Sequence, residues 1–161
     1  MAAFLALKAE NGDAEGLPGP LALGTGTTDW TFGHLWEKGF GRATGYASLC
    51  YTLTGDRDDL GTDPGDVICF NLAAEHRLND RGLQFVWEIN GRHTGSTEAG
   101  GISVPNTDSF IVSVSPGLQL VRPTKSGLFQ LEAGVQIPVY LQGDAPAIPN
   151  YTAYAGGFIV F

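Results

Sequence analysis

Two cysteines are the first residues in this chain whose type and spacing carry chemistry. Cys50 and Cys69 flank a polar stretch at 54–65 that is dense in Gly and Asp. If that stretch is the loop of an antiparallel pair, setting Leu53 against Asp66 places Cys50 directly opposite Cys69. Opposed side chains of such a pair bring their Cβ atoms within disulfide range. An oxidising compartment would close the bond; another register would leave two small buried thiols. A second set is ionic and polar. Arg42, Asn71, Glu75, Arg77, Glu88, Asn90, Arg92, Gln130, Glu132 and Gln136 all fall on the polar parity of alternating segments. Inside a barrel these residues would either line a pore that sorts solutes by charge and size or interlock as a salt-bridged plug.

Other chemistry is poorly served. The stretch 54–66 offers hard oxygen ligands of the kind that hold Ca²⁺. It lacks the Gly at the sixth place and Glu at the twelfth of a helix-loop-helix calcium loop, and reads as a solvated acidic loop. His34, His76 and His93 lie in different segments, without HExxH or cysteine pairs at zinc spacing. They are expected as pore or interface residues. There is no GxSxG elbow, and GTGTT at 24–28 lacks a P-loop lysine. A pair such as Ser113 with His93 arises by chance in any barrel. No catalytic residue, metal site or cofactor is expected. The formal net charge of -8 argues against a nucleic-acid partner, which needs clustered Lys and Arg.

These side chains need a scaffold with a period of two. Eight segments alternate in that way: 2–9, 27–38, 41–53, 66–78, 82–95, 108–122, 127–141 and 150–161. In 127–141, Phe129, Leu131, Ala133, Val135, Ile137 and Val139 face away from Gln130, Glu132 and Gln136. Alternation this sustained predicts strands, and no window has a comparable helical period. At 161 residues the chain is one domain, read as a single β-barrel over 1–161. Pro116 and Pro138 fall inside strands, and each predicts a bulge or a strand end.

The connections alternate in length. Loops at 10–26, 54–65, 96–107 and 142–149 are long, whereas turns at 39–40, 79–81 and 123–126 are short. Outer-membrane barrels sort their connections in this manner, with short periplasmic turns and long external loops. No apolar run approaches the ~18 residues of a membrane helix, which excludes a helical membrane protein but not a barrel. Trp30, Trp36, Tyr51, Tyr151 and Phe161 lie near strand ends, where an aromatic girdle belongs. The last strand, ending on Phe161, is expected to close the sheet against a first strand. A soluble barrel of lipocalin type, apolar face inward, predicts the same alternation.

The segments LKAENGD, GTGTTDWTFGHLWEKGFG, YASLCYTLTGDRDD, GDVICFNLAAEHRLNDRGLQFVWEINGRHTG and SPGLQLVRPTKSGLFQLEAGVQIPVYLQGD cover most of the chain. In them the chain resembles the C-terminal part of outer-membrane β-barrels of the meta-pathway phenol-degradation-like family. The resemblance implies a Gram-negative outer membrane, lipid as a partner, and passive uptake of small solutes, aromatic or hydrophobic ones among them. The closing YAGGFIVF looks like the signal read by the barrel assembly machinery, with Tyr154, Gly156, Ile159 and Phe161 at its spacing. Members are expected to be longer, with a signal peptide and more N-terminal strands. Residues 1–12 lack the basic start and apolar core of such a signal, so upstream sequence is expected to precede this stretch. The alternatives are a structural barrel without a pore and a protein that never leaves the cytoplasm.

Overall fold

The computed structural model describes residues 1–9, 27–55, 61–125, 127–143 and 150–160. Eight long strands form one antiparallel sheet in which each pairs with its neighbours along the chain. They are β1 (Ala2–Lys8), β2 (Asp29–Phe40), β3 (Ala43–Leu53), β5 (Val67–Arg77), β6 (Leu83–Thr94), β9 (Ser109–Thr124), β10 (Gly127–Gly143) and β11 (Thr152–Val160). Three two-residue strands, β4 (Thr62–Asp63), β7 (Glu98–Ala99) and β8 (Ile102–Ser103), form a second small sheet. The described residues contain no helix.

Antiparallel pairing fixes which side chains share a face. Leu49 opposes His34 and Phe70, and Leu72 opposes Ala47 and Ile89, so these lie on one apolar face. Ser48 opposes Leu35 and Asn71, and Asn90 opposes Ser113, so these lie on the polar one. The burial of the two faces is reversed from that of a water-soluble core. No hydrophobic side chain is buried among the described residues, and Leu49, Leu72 and Leu118 are 50%, 48% and 50% exposed on the apolar face. Ser113 and Ser115, in the centre of the polar face, are only 6% and 3% exposed.

Aromatic rings fill places where glycine leaves the backbone bare. The Phe4 ring lies over Gly33 directly opposite, and the Phe70 ring over Gly91. A Cβ at either glycine would collide with the ring, so ring and glycine select each other and help pin the register.

The short connections are built from turn chemistry. Gly41 and Gly82 have φ of 67° and 84°, a region that L side chains rarely enter. Between β5 and β6, the Asn79 side-chain oxygen accepts from the amides of Arg81 (2.9 Å) and Leu83 (3.2 Å). This is the local mimicry of a backbone turn that suits Asn there. Asn79→Ala removes both bonds and is expected to cost about 1 kcal/mol, read as a shift in the unfolding midpoint.

At the opposite end two long connections are stitched together. The Gly95 amide donates to the Asp66 carbonyl (2.8 Å) and the Gly100 amide to the Gly61 carbonyl (3.0 Å). Gly65 packs so closely on the Gly95 backbone that a side chain at 65 would not fit.

Three expectations change. First, the register between β9 and β10 shifts between Pro138 and Tyr140, the bulge expected there. Pro116 produces neither a bulge nor an end: it opposes Trp87, and the register to β10 is the same on either side of it. Its missing N–H falls where the β9–β10 ladder skips 115 and 116, so no register change is needed. Second, the long connections contribute the small sheet β4–β7–β8 rather than loop alone. Third, the last strand does not close on the first. Among the described residues β11 pairs only with β10 and β1 only with β2, so the sheet is open. An eight-stranded closure leaves an interior just wide enough for side chains. Here the polar face carries Phe4, Leu35, Tyr46, Arg77, Arg92, Tyr154 and Phe158.

Candidate functional site

The polar face gathers residues that are far apart in sequence into rows across the strands. One row reads Leu35, Ser48, Asn71, Asn90, Ser113 and Pro138. Towards the long connections the next reads Gly33, Cys50, Cys69, Arg92 and Ile111. Towards the short turns the next reads Glu37, Tyr46, Ala73, Glu88 and Ser115, and the one after it Gly39, Thr44, Glu75, Val86, Gly117, Gly134 and Tyr154. A last row holds Arg77, Gln84, Gln119, Glu132 and Gly156. Gln130 opposes Val121 and Phe158, Gln136 opposes Thr152, and the Arg42 carbonyl accepts from the Arg77 amide. Nine of the ten candidate lining residues therefore lie on this one face, and Arg42 stands in the turn before β3 at its short-turn end.

Cys50 and Cys69 are directly opposite, with Cα atoms 5.1 Å apart, and are joined by a disulfide. Arg92 stands beside Cys69 on β6.

Ion pairs mark the two ends of the face. At the long-connection end Lys8 donates to Asp29 (2.9 Å) and to the Thr27 carbonyl (3.2 Å), while the Thr27 hydroxyl donates to Asp29 (2.7 Å). At the short-turn end Arg42 pairs with Asp80 (3.1 Å), both well exposed, so this pair contributes little to stability. Between them, the Tyr46 hydroxyl donates to Glu75 (3.1 Å) and the Asn71 amide to the Ser48 hydroxyl (2.8 Å). Thr31 and Thr52 share a hydroxyl bond of 2.9 Å. Among the described residues Glu37, Glu88 and Glu132 carry neither a hydrogen bond nor an ion pair. The middle of the face is thus polar, with carboxylates that lack a fixed cation.

Other candidates are dispersed. His34, His76 and His93, expected as pore or interface residues, sit on the apolar face, opposite Leu49, Phe85 and Phe110, and so apart from the lining candidates. Their parity in the sequence already matched Phe32, Ile68 and Ile89. His93 and Ser113 are on opposite faces and cannot act together. Asp66 serves the loop base, accepting from the Tyr51 hydroxyl and from the Thr54 amide (3.0 Å). Residues 56–60 of the acidic loop and 24–26 of GTGTT lie outside the described residues, and no group of metal ligands occurs among those described. Glu37 and Tyr46 escaped the reading of the sequence. The parity of Glu37, one residue from Trp36, was the available signal.

The four residues resembling an assembly signal divide. Tyr154 and Gly156 are on the polar face, Ile159 is on the apolar one, and Phe161 lies outside the described residues. The Tyr154 ring covers Gly134 and reaches Gly117. Tyr154→Ala uncovers both glycines and is expected to lower stability by about 1 kcal/mol in refolding into lipid without any assembly factor. No effect there, with slowed assembly in cells, would leave Tyr154 a recognition residue alone.

Compared with protein-family models and with curated proteins, the chain matches none.

Proposed function

We propose that this chain forms a transmembrane β-sheet of a Gram-negative outer-membrane barrel, through which small solutes pass by diffusion. The observation that carries the reading is the reversed burial: exposed leucines on one face, enclosed serines on the other. A face of this kind in water would be a large apolar patch; in lipid it is the expected outer surface. Only a closed sheet satisfies every backbone group in a bilayer. The reading therefore requires β1 and β11 to find partners there.

The aromatic placement supports it. Trp30 and Tyr51 stand near the long-connection ends of β2 and β3, and Phe40 and Phe85 near the short-turn ends of β2 and β6. From Trp30 to Phe40 is about 34 Å along a strand, or about 26 Å across a membrane at a 40° tilt, close to the apolar band of such barrels. The solute would meet Asn71, Asn90, Arg92, Glu88 and Glu132. That the solutes include aromatic or hydrophobic molecules rests on the resemblance alone.

All three tryptophans, Trp30, Trp36 and Trp87, lie on the apolar face and are 43%, 39% and 42% exposed. In vesicles of brominated lipid their fluorescence is expected to be strongly quenched. Unquenched emission, with full solubility in the absence of detergent, would reject the membrane. Stepwise conductance in planar bilayers tests passage. The bonds of Tyr46 to Glu75 and of Asn71 to Ser48 favour, as a second reading, a face that fills rather than conducts. Quenching without conductance is its expected result.

A further inference from the structure

A cavity of about 410 Å³ opens at the short-turn end, in a step between two hairpins. Its size falls within the range for small-molecule sites. β6 begins at Leu83, opposite Leu120, whereas β9 and β10 stay paired as far as Thr124 and Gly127. The turn at 79–82 therefore stops short of the tip of the next hairpin. The Val121 amide donates to the Gly82 carbonyl (2.9 Å), and a Cβ on Gly82 would collide with the Val121 carbonyl, so the turn lies directly against β9.

The lining is cationic in an acidic chain. Arg77 on the polar face, Arg81 in the turn and Arg122 on β9 all border the cavity, with Gln84 as a neutral donor. Asp80 is the carboxylate of the lining, and Arg42 holds it at 3.1 Å. Among the described residues none of the three guanidinium groups has a hydrogen bond or an ion pair. The wider charge distribution points the same way. The short turns, with three strand residues on either side, hold Lys38, Arg42, Arg77, Arg81, Arg122 and Lys125, six of the chain's nine Lys and Arg. They hold only Glu75 and Asp80 of its 17 Asp and Glu. Glu75 is itself taken by the Tyr46 hydroxyl.

We propose that this cavity binds a phosphate group, that of a free phosphomonoester or of a phospholipid headgroup. Guanidinium forks pair bidentately with phosphate oxygens. An oxyanion between Arg77 and Arg81 relieves a repulsion that no carboxylate among the described residues relieves. A phosphomonoester offers three strong acceptor oxygens and nearly two negative charges to three arginines, whereas a carboxylate offers less of both. Gln84 adds a neutral amide donor. Both sources reach the site. Arg77 belongs to the face that a solute meets, and Arg122, opposite Phe129, stands at the margin of the apolar face, where headgroups lie in the membrane reading. The inference goes beyond passage and does not need it, because binding needs only the folded chain.

The test is calorimetric titration of the full chain, refolded in micelles of a neutral maltoside detergent, at neutral pH and low salt. The probes are inorganic phosphate, acetate, methylammonium and a short-chain phosphatidic acid. Phosphate is expected to bind, acetate about tenfold more weakly and methylammonium not at all. Arg77→Gln and Arg81→Gln should each weaken phosphate about tenfold or more. Lys38→Gln removes the same charge at the same end, but Lys38 lies over the Phe40 ring outside the cavity, so phosphate binding should be unchanged. Acetate bound as tightly as phosphate, two inert arginine variants, or an equal loss with Lys38→Gln would overturn the site. The lipid separates the sources. Affinity no higher than that of phosphate marks a site for the free anion; much tighter binding, still weakened by Arg81→Gln, marks a headgroup site. Retained tryptophan quenching by brominated lipid shows that each variant has folded. Phosphate binding without quenching in the unaltered chain would reject the membrane and keep the site; quenching with neither phosphate nor the lipid bound would do the reverse.

Discussion

Leu72→Arg is expected to destabilise the chain in a bilayer by about 2–4 kcal/mol, the cost of an arginine on the lipid side of a barrel at mid-depth. Leu72 is at the centre of the apolar face, between Ala47 and Ile89, and is 48% exposed. In water an arginine at so exposed a strand position would change stability by about 0.5 kcal/mol or less. The sign and size of the effect therefore separate lipid from water at one residue. Gln136→Arg is the matched control, exposed on the polar face opposite Thr152, and should be near-neutral. Urea titrations of both variants in short-chain phosphatidylcholine vesicles give the comparison. Equal, small shifts for the two would mean that the apolar face does not meet hydrocarbon.

This contrast depends on parity, and parity was the most legible property of the sequence. Each expected strand overlaps one of the eight long ones, with ends within about two residues, because one alternation governs a whole strand. Leu72 and Asn71 could be assigned to opposite faces before any pairing was known. Tyr140 and Gln142 could not. The bulge after Pro138 turns them to the face of Phe110, and one extra residue reverses parity from there on. The small sheet was illegible for another reason: Thr62–Asp63, Glu98–Ala99 and Ile102–Ser103 are too short to have a period, and they pair only because two connections meet.

The candidate site was legible as a list but not as an arrangement. Sequence parity put ten lining residues on one face without saying which would touch. The bond from Tyr46 to Glu75 depends on the register of β3 against β5, which alternation along either strand does not give. Closure was the expectation that local pattern could not decide. Alternation describes a strand, whereas closure is a property of two edges, and the edges of β1 and β11 carry no sequence mark that pairs one with the other.

Register is also what makes the second large effect calculable. Cys50→Ser with Cys69→Ser, or reduction of the oxidised chain, is expected to cost about 3 kcal/mol of stability. The bond closes a segment with a sequence separation of 19. Cross-linking such a segment removes loop entropy from the unfolded chain rather than adding contacts to the folded one. The folded pair is held by ladders to β2 on one side and β6 on the other, whether or not the sulfurs are joined. The Thr54 amide and the Asp66 carboxylate also tie the loop base independently of the sulfurs. Tryptophan quenching by brominated lipid should therefore survive reduction, while the urea midpoint falls. The slope of the transition should rise slightly, because the reduced unfolded chain is less compact. A midpoint shift worth less than about 0.5 kcal/mol would show that the loop is already constrained in the unfolded state. Peptide mapping that finds both thiols free in the oxidised, refolded chain would instead place β3 and β5 in another register. Because Ser48, Asn71, Tyr46 and Glu75 share that register, the polar rows would fall with it.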